Sequence, residues 1–80
     1  MNYFLIVYDI SAGEIVTLKR FGERQRSLAL SKRFARELVE RDRRNIEVVL
    51  LSAESEDELR RTHSRYFESS AQLAESIGKA

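Results

Sequence analysis

From Tyr3 to Ile10 the chain is aromatic or aliphatic at all but one position, the composition of a strand that meets protein on both sides. The run stops at Ser11, Ala12 and Gly13, where the glycine can take the positive φ of a three-residue hairpin loop. A second strand, Ile15 to Phe21, then returns along the first. With Ser11 to Gly13 as the loop, Ile10 faces Glu14, Tyr8 pairs with Val16, Ile6 with Leu18 and Phe4 with Arg20. Even-numbered residues then share one face. That face carries Phe4, Ile6, Tyr8, Val16 and Leu18, and is the side expected to receive a helix.

After Gly22 the apolar period changes from two to about 3.6, and Leu28, Ser31, Phe34, Ala35, Leu38 and Val39 fall on one stripe of a first helix that runs to about Glu40. Residues 41–45 break it, and Ile46 to Leu51 form a short apolar strand. Ser55 with Glu58 three residues later is a capping box, so a second helix starts there. Leu59, His63, Tyr66, Phe67, Ser70, Leu73, Ala74 and Ile77 share one side of it, which predicts a continuous helix from Glu56 to Ile77. At roughly 33 Å that helix outreaches a globule about 30 Å across, so its last turns, residues 69–80, are expected to overhang or fray.

The predicted fold is a single α+β domain over residues 1–80, in the order ββαβα, with two helices on a three-stranded mixed sheet. The most apolar strand, the first, is central. A right-handed crossover through the first helix brings the third strand in on its other side, parallel to the second, for a spatial order 2-1-3.

The second sheet face also carries apolar groups. Tyr3, Leu5 and Val7 meet Ile15 and Thr17 there, and the third strand is apolar on both sides. Either the two helices cover opposite faces, in a three-layer sandwich, or both lie on one face and the other meets a second copy. The homodimer is the favoured expectation. Its candidate interface is Tyr3, Leu5, Val7 and Ile15 on the sheet, with His63, Tyr66 and Phe67 on the second helix, where aromatic and arginine side chains resemble a partner hot spot.

Composition changes this picture mainly by exclusion. The chain holds 80 residues, 42% hydrophobic and 34% charged, with a net charge of +1, which is the balance of a folded domain. It has no cysteine, so it cannot form a disulfide or a thiolate metal site, and a reducing, cytoplasmic location is expected. The apolar run of the first strand is too short to span a bilayer, so no membrane association is expected.

Charge is unevenly placed. Lys19 to Arg44 holds ten bases against four acids, whereas Asn45 to Ala80 holds four against seven. Arg26, Lys32, Arg43 and Arg44 are therefore the candidate contacts of an alternative, weak nucleic-acid-binding reading. Against it, Arg33 and Arg36 each have a glutamate four residues on, and no aromatic is interleaved for base stacking.

No residue set points to catalysis, a metal or a cofactor. His63 is the only histidine and has no nucleophile arranged around it. The acids of Glu54 to Glu58 lack the alternating ligands and glycine of a cation loop, and fit a helix start instead. Asp9, at the end of the first strand, has no further acids to complete a nuclease-like site. The expected function is thus a small, non-enzymatic protein-interaction or assembly module that forms a homodimer.

Overall fold

The structure, a computed structural model, describes residues 1–68. Three strands, β1 (Asn2–Asp9), β2 (Glu14–Phe21) and β3 (Ile46–Ala53), form one sheet in the order β2-β1-β3. Helix α1 (Arg26–Glu40) follows a single 3-10 turn, Glu23–Gln25, and α2 (Glu56–Thr62) leads into a second, Ser64–Tyr66. The topology is the predicted ββαβα. The sheet is antiparallel rather than mixed, because β3 runs parallel to β2 but the two are not neighbours.

Phe4 pairs with Arg20 and Ile6 with Leu18, as expected, but the hairpin loop is one residue longer than predicted. Gly13 (φ 68) donates its N–H to the Asp9 carbonyl at 2.8 Å, which closes a turn from Ile10 to Gly13 and sets Asp9 opposite Glu14. The register recovers through a bulge. Val7 pairs with Thr17 and Tyr8 with Ile15, so Val16 is the extra residue and is 55% exposed. Ile15 is thereby moved from the predicted second face onto the face of Tyr8, where it packs against the core. The Asp9 carboxylate accepts from the Ala12 N–H (3.1 Å) and the Asn45 amide (3.3 Å). The backbone hydrogen bond first, and Asn45 second, hold its pKa below the usual carboxylate range. Asp9 is therefore a turn residue.

The two helices cover opposite faces. Phe4, Ile6 and Tyr8 pack with Ala53, Leu59 and Tyr66 under α2 and the turn that follows it. Leu5 and Phe21 pack with Ala29 of α1, beside Tyr3, Val48 and Leu50. This is the three-layer arrangement, and it leaves neither sheet face as a whole open for a second copy.

α2 departs from the predicted helix. It ends at Thr62, whose hydroxyl donates back to the Glu58 carbonyl at 3.0 Å, and His63 leaves helical geometry at φ −126, ψ 47. That break turns Tyr66 into the core, where it is 6% exposed. The part of the predicted helix beyond Glu68, and the expected overhang of residues 69–80, lie outside the described residues. No helix among the described residues is long and apolar enough to cross a membrane.

Candidate functional site

Two regions carry the side chains that sequence reasoning singled out, and they are built in opposite ways. The first is the stretch Arg60 to Phe67. Ser55 Oγ accepts from the Glu58 N–H at 3.1 Å, and the Glu58 carboxylate accepts from the Glu54 N–H at 3.4 Å, so the acids at this end start α2. One turn on, Arg60 pairs with Glu56 at 3.3 Å and lays its guanidinium over the Phe67 ring at 4.7 Å.

Beyond His63, Arg65 Nη2 donates to both Glu47 carboxylate oxygens, at 2.8 and 3.1 Å, and to the Tyr66 hydroxyl at 2.6 Å. Tyr66 in turn donates to Glu47 at 2.9 Å. Its ring meets Tyr8 edge-on, with centroids 5.1 Å apart. Burial, and then the neighbouring Glu47 carboxylate, push the Tyr66 hydroxyl pKa above its usual value. The bond to Tyr66 is the main reason that the Arg65 pKa is raised too. The predicted hot spot thus spends its aromatic and charged groups inside the protomer, fastening the chain after α2 to β3 and β1.

The candidate interface residues divide accordingly. Leu5, Val7 and Tyr66 are buried, and Ile15 lies on the other sheet face. Tyr3, His63 and Phe67 keep part of their surface. His63 caps α2 through its backbone, with its N–H on the Leu59 carbonyl at 2.9 Å.

The second region is α1, where the predicted ion pairs are present: Arg33 to Glu37 at 2.7 Å and Arg36 to Glu40 at 3.1 Å. Arg43 also reaches Glu40, at 3.4 Å. These pairs sit on the side of α1 nearer the sheet, and Glu40 is 8% exposed between its two arginines. The helix rests on the sheet through Ala29, which is fully buried.

The apolar stripe found in the sequence therefore points the other way. Leu28 is 44% exposed, Phe34 62%, Leu38 66% and Val39 73%. Periodicity revealed this surface but not its direction. Beside it, Leu5, Thr17 and Lys19 of the sheet and Lys32, Ala35 and Val39 of the helix line an open groove of about 250 Å³.

The residues of the nucleic-acid alternative do not converge. Arg26 and Lys32 stand about 120° apart around α1 at 100° per residue. Arg43 is engaged by Glu40, and Arg44 is exposed beyond the helix. A hollow of about 280 Å³ on the opposite face, between Phe4, Leu18, Arg20 and residues 54–56, is also below the roughly 300–1,000 Å³ of ordinary ligand pockets. Among the described residues no group of three or more metal-ligating side chains comes together. Comparison with protein-family models, with curated proteins and with solved structures found no match to this chain.

Proposed function

We propose that this protein is a small, non-enzymatic assembly module of the cytoplasm that self-associates through the outer face of α1. One observation carries the reading. Four large apolar side chains, Leu28, Phe34, Leu38 and Val39, line a single helix face and are 44 to 73% exposed, although the same helix has a sheet to pack against. A patch of this kind on an otherwise well-packed domain usually marks a protein contact. The absence of cysteine agrees with a reducing compartment.

Solution mass by light scattering across a concentration series tests the proposal. The expected mass rises from 9.3 kDa toward twice that value, while Leu38→Glu remains at 9.3 kDa with an unchanged far-ultraviolet spectrum. A wild-type protein that holds the monomer mass throughout the series overturns it.

A further inference from the structure

The order of side chains along the exposed face of α1 specifies more than contact. Leu28, Ser31, Ala35 and Leu38 recur at intervals of three, four and three residues, the a and d spacing of two paired helices. Their sizes run large, small, small, large, and so read the same from either end. The pairs Leu28 with Leu38 and Ser31 with Ala35 share one midpoint, level with position 33.

A third pair has that midpoint as well. Arg24, in the 3-10 turn before α1, and Asp42, just past its end, are both exposed; Asp42 lies 4.0 Å from its neighbour Arg41 and keeps 93% of its side chain in solvent. Among the described residues the first turn of α1 carries no acid and the last turn no base. Within those turns the helix's own dipole lacks the charges it favours.

We infer that the partner of this face is a second copy of the chain, with the two α1 helices packed antiparallel about a two-fold axis level with position 33. The inference rests on the self-association proposed above. A two-fold contact must be self-complementary, and Arg24 and Asp42 meet opposite charges across it only in the antiparallel sense. Leu28 then meets the partner's Leu38, and the small Ser31 meets the partner's Ala35, which lets the backbones approach closely. Phe34 of the two copies comes together beside the axis. Arg24 faces the partner's Asp42, and each helix sets its C-terminal end beside the other's N-terminal end. A parallel pair would instead bring Arg24 against Arg24 and Asp42 against Asp42. The four exposed apolar side chains offer on the order of 400 Å² per copy, about half of the roughly 800 Å² that a standard interface buries on each side. The dimer is therefore weak and forms with rising concentration.

Because the chain has no cysteine of its own, introduced thiols read the pairing directly. Ser31→Cys and Ala35→Cys are made separately and treated with a mild oxidant, each alone and as an equimolar mixture. The antiparallel pair predicts a disulfide-linked dimer in the mixture and little with either variant alone. Self-linking of each variant with no gain on mixing, the mark of a parallel pair, overturns the inference. So does the absence of cross-linking in all three samples under conditions where light scattering shows a dimer, although self-association itself then stands. A wild-type mass of 9.3 kDa at every concentration removes both proposals.

Discussion

The two helices of this domain put their apolar side chains to opposite uses. α2 and the turn after it place Leu59 and Tyr66 against the sheet, clamp Arg65 onto Glu47, and keep little apolar surface. α1 meets the sheet through Ala29, keeps ion pairs nearby, and turns its large apolar residues outward. An apolar stripe therefore does not by itself identify the side of a helix that packs on its own sheet. The region made of conspicuous aromatic and arginine residues turned out to be internal fastening. The plainer stripe of leucines and small residues is the surface left over.

Substitutions can break this contrast, beginning with the sheet that both helices share. Val7→Asp places an unpaired charge at a fully buried position and is expected to unfold the domain, a loss above about 4 kcal/mol, to be seen as a missing cooperative melt. On the α2 side, Leu59→Ala removes a side chain with no exposed surface and should cost about 2–5 kcal/mol in urea denaturation.

Tyr66→Phe keeps the ring against Tyr8 but removes the hydroxyl from Glu47 and Arg65, for an expected loss of about 1 kcal/mol. The same variant sharpens the pH behaviour. Because the folded state raises the Tyr66 pKa, the contribution of the neutral hydroxyl is fully present below its ordinary value of about 10 and is lost as pH rises through the raised folded value. Wild type should therefore lose stability relative to Tyr66→Phe in alkaline melts, and the two curves should run parallel below that range.

At the small end, Leu38→Glu on α1 should change monomer stability by no more than about 0.5 kcal/mol, since its side chain is already 66% exposed. A large loss of monomer stability in that variant would show that the outer face belongs to the protomer's own core.

Much of the fold is legible in the residues themselves. The β-branched and aromatic run of β1, the periodicity of α1, the Ser55 and Glu58 cap and the i,i+4 ion pairs are local signals, and each appears where its chemistry puts it. What escaped reading depends on competition between alternatives that are locally equivalent. Gly13 serves a three-residue loop as well as the four-residue turn observed, and the difference is absorbed three residues further along the chain by the bulge at Val16. The helical period continues unbroken past His63, but Tyr66 reaches the Tyr8 ring and the Glu47 carboxylate only if the helix stops first. Both lie far away in sequence. The direction of the α1 stripe is of the same kind, for it turns on which side of the helix lets Ala29 come close to the sheet.

The central position of β1 also sets a sequence in time. Its pairing with β2 needs only the short Gly13 turn, and hairpins of that size close in about 1–10 μs. Its pairing with β3 joins Asp9 to Ile46 and Asn2 to Ala53 across the whole of α1, so that edge must wait for a long loop to close. The domain is thus expected to fold from its N-terminal hairpin outward. In kinetic measurements Leu18→Ala should slow folding, whereas Val49→Ala should mainly speed unfolding, and the reverse pattern would place the nucleus on the β3 side. An early hairpin would spend the interval before α1 and α2 arrive with both faces of its most apolar strand in water.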